Sequence, residues 1–361
     1  MLLEAFFLGS LLIQLIYLGA LHTGFRRAFR SLDSERLTLP PLSVVVAARN
    51  EEKHLPNLLQ ALSRQEYPDF EVIVVDDASE DATPQIVGAW QLRHPNVRLL
   101  RIEKPVDPRK KHALGRGIEA ARHETLAFTD ADCVPPPGWL LAGAHAVASL
   151  PPDVLLVGYS PFRSRRGLLN RLARYETFVT GYMTAAAIGL RRPYMAVGRN
   201  LFYTKSVFRN TGGFSETLQV LSGDDDLFLQ QVRKKGSAEI RHLSDPESFV
   251  VTEPPTTWSE WIRQKTRHTS AGRHYPGDIK LHLGVFQVTS TLLWLAPLAL
   301  GWTGALLLGV RLLTHGVLLR DAAASFREGD LIRMHPLLEL LYTLYNAVIP
   351  PIGLVMRPRR W

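Results

Sequence analysis

Two pairs of carboxylates directly follow apolar, β-branched segments of the chain. Asp130 and Asp132 come after the segment 125–129, and Asp76 and Asp77 come after the segment 71–75. Two carboxylates at positions i and i+2 can share one Mg²⁺ or Mn²⁺ ion, or one can bind the metal while the other orders water or sugar. Asp is also common in plain turns. Asp130 and Asp132 directly follow a predicted strand, and another strand-end Asp pair precedes them in the chain. This arrangement favours a metal site at Asp130 and Asp132.

The Asp76-Asp77 pair is suited to a nucleoside. A carboxylate at a strand end can accept a hydrogen bond from a ribose hydroxyl or a base N–H. Alternatively, these residues form an Asx turn or the N-cap of the next helix. Lys110 and Lys111 could counter a diphosphate, or form a solvated charge cluster. The sequence contains neither a GxGxxG fingerprint nor a Walker loop, so dinucleotide and P-loop chemistry lose their usual support.

A third acidic cluster, Asp224-Asp225-Asp226, begins an amphipathic segment that ends near Gly236. Carboxylates at a helix N-terminus are favoured by the helix dipole, which is a purely structural explanation. The functional interpretation is a general base, because a carboxylate among like charges has a raised pKa.

An aromatic and basic group occupies residues 258–268. At helical spacing, Gln264 and Arg267 share a face with Trp261, and His268 follows. The pattern fits either a part of the active site or an interfacial helix beside a membrane.

The segments between these residues alternate in pattern. Strand-like runs occupy 43–48, 71–75, 97–102 and 125–129, and helix-like runs occupy 55–62, 83–92 and 113–122. This alternation predicts an α/β domain with a mainly parallel sheet, over about 40–280. Ligands of such sheets bind at the carboxyl ends of the strands, where both Asp pairs are expected.

Composition excludes several classes of protein. The 361 residues are 46% hydrophobic and 21% charged, which excludes a disordered chain. A single cysteine excludes a disulfide scaffold and a Cys-based zinc site. The net charge of +8 indicates an anionic partner. Because the basic residues gather beside apolar blocks, we expect a membrane partner and no nucleic acid.

Three apolar blocks predict membrane segments. Residues 2–21 are long enough to cross a bilayer, and we expect a retained anchor over 1–24 rather than a signal peptide, because the basic residues follow the block. Residues 281–320 carry a Gly-Trp-Thr-Gly break and predict a transmembrane hairpin. Residues 336–356 contain Glu339 and a Pro-Pro pair, and predict either a transmembrane or a re-entrant segment.

Basic flanks predict the orientation. Arg26, Arg27, Arg30 and Arg36 follow the first block, and positive charge marks the cytoplasmic side. We therefore expect an integral protein of the inner or plasma membrane with a cytoplasmic catalytic domain. If the third block crossed the membrane completely, Arg357, Arg359 and Arg360 would lie outside the cell, against this rule.

Seven motifs together resemble the membrane-bound family 2 glycosyltransferases of GT-A fold, a group that includes cellulose, hyaluronan and ceramide-glucosyl synthases. In chain order they are SVVVAARNEE, EVIVVDDASEDAT, KKHALGRGI, AFTDADC, GRNLFYTKSVFRNTGGF, SGDDDLFLQQVRKKG and QKTRH. They span about 43–268. Each motif alone is weak evidence for the family, but seven motifs in this order are specific for it.

The resemblance implies roles for individual residues. The residues placed at the donor nucleotide-diphospho-sugar are Ala47, Arg49, Glu51, Asp76, Asp77, Lys110, Asp130, Gln264, Arg267 and His268. Asp132 and Asp130 match the DxD that holds Mg²⁺ or Mn²⁺, and Gly198 and Asn200 would border the acceptor. His268 stands where the family usually has Trp, which puts stacking on the acceptor sugar in doubt.

The catalytic base is expected at Asp225 or Asp224. Counting back from Gly236 favours Asp225, whereas the register of Leu227 and Leu229 favours Asp224, and we prefer Asp225 slightly. The expected reaction is inverting, metal-dependent transfer of a sugar to a lipid or glycan acceptor at the membrane. The alternatives are a processive polysaccharide synthase, a membrane-tethered nucleotidyltransferase and an inactive binding module.

Overall fold

The computed structural model describes residues 1–30, 38–104 and 106–355. Arg36, Met356 and the basic residues 357, 359 and 360 lie outside them. Contacts group the described residues into two units, each of which is described by itself. The sheet unit comprises the described parts of 29–163 and 193–253. The helical unit comprises 1–28, 164–192 and the described part of 254–355.

The sheet unit is built on a seven-stranded sheet and a two-stranded one. The strands are β1 Leu42–Ala48, β2 Phe70–Asp77, β3 Val97–Ile102, β4 Thr125–Phe128, β5 Cys133–Val134, β6 Val154–Gly158, β7 Leu201–Thr204, β8 Glu239–Leu243 and β9 Val251–Thr252. The large sheet has the order β3-β2-β1-β4-β7-β6-β8, and β5 pairs with β9. Four of its six pairings are parallel, and those of β7 with β4 and β6 are antiparallel. The predicted α/β class with a mainly parallel sheet is confirmed.

Helices cover the faces of this sheet. Those of the sheet unit are α2 Leu55–Leu62, α3 Thr83–Gln91, α4 Arg109–Ala120, α5 Trp139–Ala148, α7 Lys205–Thr211 and α8 Asp226–Lys235. The predicted leucines of α2 are all buried against Val44, Val46 and Val72. β1 and β2 read as continuous apolar runs because both of their faces are covered, as is usual in parallel sheets.

The helical unit holds the predicted membrane segments. Its helices are α1 Leu2–Ala28, α6 Leu168–Gly189, α9 Trp258–Thr269, α10 Gly277–Leu300, α11 Trp302–Ser325, α12 Gly329–Ile332 and α13 His335–Val355. Within the described residues, α1, α10, α11 and α13 are each long and apolar enough to cross a membrane. The hairpin turns at Gly301, whose φ of +59° is readily adopted by glycine. Which side of a membrane the sheet unit occupies stays a prediction.

The expected domain limits differ from the observed division. Residues 164–192 and 254–280 were expected within the 40–280 domain, but their contacts place them in the helical unit. A close helix crossing explains the first of these segments. A Cβ atom on Gly189 of α6 would lie 1.9 Å from the carbonyl oxygen of Gly24 of α1, so only glycine permits this approach.

Ionisable side chains meet inside the helical unit. Arg311 Nη2 of α11 donates to Glu339 Oε1 of α13 at 2.6 Å, and both side chains are fully buried. Tyr175 donates to the other oxygen of Glu339 at 2.8 Å. His315 and His335 also lie here, and with Glu339 they offer ligand atoms within 4.8 Å of one another. Because Arg311 already neutralises Glu339, we interpret the group as an interhelical ion pair rather than a metal site.

Candidate active site

Three strands bring the two predicted Asp pairs to one edge of the sheet. β1 pairs in parallel with β2 on one side and β4 on the other. Asp76 and Asp77 end β2, and Asp130 and Asp132 follow β4. Parallel neighbours end at the same edge, so the position expected for these carboxylates is confirmed.

Reciprocal hydrogen bonds join the loops that follow β1 and β2. The Asn50 N–H donates to Ser79 Oγ at 3.0 Å, and the Glu80 N–H donates back to Asn50 Oδ1 at 2.8 Å. Asn50 and Ala78 both have positive φ, +56° and +52°. Backbone in this region costs energy for a non-glycine residue and is often retained at a functional site. The loops therefore form a fixed wall beside the Asp pairs.

Asp76 and Asp77 each keep one buried oxygen without a hydrogen-bond partner. Asp76 Oδ1 accepts from the Ser79 N–H, whereas Asp76 Oδ2 accepts no hydrogen bond and lies 3.8 Å from Arg101 Nε. Asp77 Oδ2 accepts from Arg109 Nε at 2.7 Å, whereas Asp77 Oδ1 accepts none. Buried polar atoms are normally satisfied, so these two oxygens indicate missing donors such as ribose hydroxyls or a base N–H. Sequence reasoning missed Arg109; its only signal was the start of the basic run.

The segment after β1 adds polar atoms to this wall. Arg49 Nε is buried without a hydrogen-bond partner, and Ala47 is half-buried at the end of β1. Burial raises the pKa of the Glu51 carboxyl, a hydrogen bond from His54 opposes this, and the charges of Asp132 and Asp130 raise it further. Glu51 and the DxD pair are thus close enough to repel one another.

Lys110 joins the DxD to the third acidic cluster. Its Nζ atom lies 3.0 Å from Asp130 Oδ1 and 3.1 Å from Asp224 Oδ2. Burial disfavours the ammonium, but the carboxylates of Asp130, Asp224 and Asp225 outweigh it and raise the pKa of Lys110. Lys110 is therefore a fixed positive charge at the sheet edge. Asp130 and Asp224, which are far apart in the sequence, meet around it.

The three carboxylates of the acidic cluster have separate roles. Asp225 is the N-cap of α8: its Oδ1 accepts from the Asp226 N–H at 2.7 Å, and its Oδ2 accepts from the Gly198 N–H at 2.8 Å. Asp226 Oδ1 accepts from the Ala196 N–H at 2.9 Å. Asp224 is the member that contacts Lys110. Both oxygens of Asp225 are thus used by the backbone, which favours Asp224 as the base, the reverse of our preference from counting residues.

The pKa of Asp225 nevertheless suits a general base. Burial and the charge of Asp224 raise its pKa to about 6, against the lowering effect of Lys110 and of the two backbone N–H groups. It therefore stays a candidate base beside Asp224.

The residues at the sheet edge fit a divalent cation. Asp130 and Asp132 present carboxylate oxygens, the ligands that Mg²⁺ and Mn²⁺ prefer. Burial is the main cause of the raised pKa of Glu51, and the charges of Asp132 and Asp130 add to it. The buried thiol of Cys133 donates to Asp132 Oδ1 at 3.4 Å, which helps to orient this carboxylate.

The expected acceptor residues divide into one at the acidic cluster and one in the core. A Cβ atom on Gly198 would lie 3.2 Å from Asp225 Oδ2 and 3.5 Å from Asp224 Oδ2, so Gly198 borders the acids. Asn200 is fully buried: it accepts from Trp139 Nε1 and donates to the carbonyls of Tyr159 and Ser248. The amide of Asn200 thus ties β7 to neighbouring loops, and its expected place at the border of the acceptor stays a prediction.

Gln264, Arg267 and His268 lie on α9, in the helical unit. Gln264 Oε1 is buried without a hydrogen-bond partner, Arg267 is half-buried and His268 is exposed. Their expected role at the donor stays a prediction.

Comparisons with known proteins agree with this geometry. The model of the family described as glycosyl transferase family 2 matches residues 43–212, which contain both Asp pairs. Glycosyltransferase AglE of Haloferax volcanii is 31% identical over 232 residues, 64% of this chain and 72% of AglE. Probable glycosyltransferase YdaM of Bacillus subtilis is 28% identical over 240 residues, 63% of this chain and 54% of YdaM.

A solved structure shares the fold. The mannosyltransferase PcManGT from Pyrobaculum calidifontis, solved in complex with GDP-Man and Mn²⁺, superposes with a TM-score of 0.57 at 20% identity, covering 95% of this chain and 97% of that one. Sequence similarity and overall fold thus agree. The chain belongs to glycosyltransferase family 2 and is a glycosyltransferase of the GT-A fold.

Proposed function

We propose that this enzyme moves a sugar from a nucleotide-diphospho-sugar to a lipid acceptor at a membrane surface, with inversion at the anomeric carbon and with Mg²⁺ or Mn²⁺. The contact of Lys110 with both Asp130 and Asp224 carries the proposal. This contact brings Lys110 and Asp130, which are suited to a diphosphate and its cation, next to Asp224, a carboxylate suited to deprotonate an acceptor hydroxyl.

The donor would lie along the edge formed by β1, β2 and β4. Asp76 Oδ2 and Asp77 Oδ1, which accept no hydrogen bond from the described residues, would accept from the nucleoside. Asp130 and Asp132 would hold the cation, whose chemistry is to neutralise charge that develops on the leaving diphosphate. The neighbour PcManGT, in complex with GDP-Man and Mn²⁺, supports this class of donor and metal.

The chain's own residues account for the transfer step. The acceptor hydroxyl oxygen bonds to the anomeric carbon as the bond from that carbon to the phosphate oxygen breaks, and the nucleoside diphosphate leaves with the electron pair. Asp224 takes the proton of the hydroxyl. A single displacement from the opposite face inverts the configuration. The ammonium of Lys110 supplies preorganised positive charge beside the diphosphate.

Membrane-type helices favour a lipid acceptor. Among the described residues, four helices are long and apolar enough to cross a membrane, which is a small number for a polysaccharide conduit. A nucleotidyltransferase would use the Asp130-Asp132 pair but would leave Asp224 without a role. The basic flank of α1 supports a cytoplasmic orientation of the catalytic unit as part of this proposal. Labelling of a Ser79→Cys, Cys133→Ser variant from outside intact cells by an impermeant reagent would contradict that orientation.

The acceptor can be identified from lipid extracts. We expect mass spectrometry to find a glycosylated lipid in cells that produce the protein, absent from cells that produce the Asp132→Asn variant. NMR of the product should show the anomeric configuration opposite to that of the donor. A soluble or membrane-translocated polymer in place of the glycolipid would instead indicate a processive synthase.

A further inference from the structure

Lys110 and Lys111 are neighbours on α4, but their ammonium groups have different partners. Successive helical residues point about 100° apart. Lys110 contacts Asp130 and Asp224, whereas Lys111 contacts backbone carbonyls, and its side chain is only 1% exposed. The expectation that both lysines could face a diphosphate is therefore wrong for Lys111, and its burial requires another explanation.

The ammonium of Lys111 holds a turn that leads into the acidic cluster. Its Nζ atom donates to the Thr217 carbonyl at 2.8 Å and to the Val220 carbonyl at 2.9 Å. The Val220 N–H closes the same turn by donating to the Thr217 carbonyl at 3.0 Å. Only three residues separate Val220 from Asp224, so the position of the turn restricts where the Asp224 carboxylate can lie.

The short link between the turn and Asp224 is itself constrained. Gly223 has a φ of +77°, and a Cβ atom there would lie 2.7 Å from Leu227 Cγ. Asp225 then anchors the start of α8 through the Gly198 N–H. With Asp225 fixed at one end and Lys111 at the other, Asp224 is held between two anchors.

We propose that Lys111 is a positioning residue for sugar transfer: by binding the Thr217 and Val220 carbonyls, it fixes Asp224 beside Lys110. The proposal rests on the proposed function of Asp224 as the base. α4 would then position Asp224 in two ways. Lys110 contacts its carboxylate directly, and Lys111 holds the backbone turn that precedes it. A displacement of about 1 Å at a reacting group can cost roughly 100-fold in rate, so such an anchor affects turnover.

The charge of Lys111 adds a pH-dependent readout. Burial lowers its pKa to about 8, although the charges of Asp224 and Asp225 oppose this. Lys111 also lines a cavity of about 560 Å³. The other charged or titratable groups that line this cavity, from α4 and α7, are His112, Arg116, Glu119, Lys205 and Arg209. A protonated ammonium donates stronger hydrogen bonds than a neutral amine. Because the pKa of Lys111 is lowered in the folded protein, its deprotonation above about pH 8 costs no folding stability. It weakens the two hydrogen bonds to the Thr217 and Val220 carbonyls, so the effect is expected in the pH profile of turnover.

Three variants of the full-length protein test the proposal. Lys111→Met removes the donor but keeps an unbranched chain, and Lys111→Arg keeps a charge that does not titrate in this range. Lys234→Met is the matched control, because Lys234 is exposed on α8. We expect Lys111→Met to lower kcat about 10- to 100-fold, the effect of losing hydrogen bonds from a charged donor, with the donor KM near that of the wild type. Lys111→Arg should recover part of the loss and move the alkaline limb of the pH profile above pH 8.

The outcomes separate this inference from the proposed function. If Lys111→Met and Lys234→Met have equal kcat, or if the alkaline limb is unchanged in Lys111→Arg, the positioning role is wrong. If the wild type transfers no sugar, the proposed function fails instead. Hydrogen exchange then still tests whether Lys111 anchors the turn, since amides 218–226 should exchange faster in Lys111→Met than in Lys234→Met. If Lys111→Met does not fold, the pH profile of Lys111→Arg decides.

Discussion

Replacing Asp132 by asparagine is expected to abolish most sugar transfer, with a loss of roughly 100-fold or more. Asparagine keeps the size of the side chain but removes the negative charge that would hold a divalent cation beside the donor diphosphate. The protein should fold and insert normally, because Asp132 is only half-buried and its hydrogen bond from the Cys133 thiol is long, at 3.4 Å. Initial rates measured over a Mn²⁺ series in membranes check the expectation.

The matched control for Asp132 is Asp69→Asn, an exposed residue outside the site. It should transfer sugar at the wild-type rate. Near-normal turnover by Asp132→Asn in the presence of a chelator would contradict the metal role. A variant that recovers at high Mn²⁺ would instead support it, because weakened metal binding can be offset by mass action.

Replacing Asp224 by asparagine is expected to lower kcat by roughly 10²- to 10⁴-fold, the usual contribution of general-base catalysis. The amide cannot take the proton of the acceptor hydroxyl. Donor binding should survive, because the residues proposed to hold the donor and its cation, Asp76, Asp77 and Asp132, lie at the end of β2 and after β4. Steady-state kinetics should therefore show a large loss in kcat with little change in the donor KM.

The variants Asp225→Asn and Asp226→Asn complete this test. Both side chains accept hydrogen bonds from backbone N–H groups, and an asparagine amide has one acceptor oxygen and no charge. Their replacement should therefore mainly weaken the anchoring of the start of α8, by about 1 kcal/mol each. Thermal unfolding measures that cost separately from the rate. If Asp225→Asn is the inactive variant and Asp224→Asn is mild, the base is Asp225. Equal, small losses in all three would exclude a base in this cluster.

The sheet edge was predictable because it depends on local sequence. β1, β2 and β4 are mainly apolar segments, β1 to β4 alternate with helices, and the Asp pairs end β2 and follow β4. The later strands β6, β7 and β8 were not predicted. Two of their pairings are antiparallel, and their positions depend on contacts between distant parts of the chain. Local pattern carries little information about such pairing.

The roles of single side chains in the site were less predictable. Asn200 stands in a recognisable motif, yet its amide is used by Trp139 and two carbonyls in the core. Lys110 and Lys111 look equivalent in the sequence, and only the helical rotation between them separates their partners. The choice between Asp224 and Asp225 likewise depends on which carboxylate caps α8. Each of these outcomes depends on tertiary hydrogen bonds that residue types alone do not specify.

The small product released from a nucleotide-diphospho-sugar tests the central claim most directly. Membranes that contain the wild-type protein, supplied with UDP- or GDP-sugars and Mn²⁺ or Mg²⁺, should release the nucleoside diphosphate, and membranes that contain Asp132→Asn should not. The release should stop when a chelator is added. Release of pyrophosphate from nucleoside triphosphates, without release of nucleoside diphosphate from any of these sugar donors, would contradict the assignment as a glycosyltransferase.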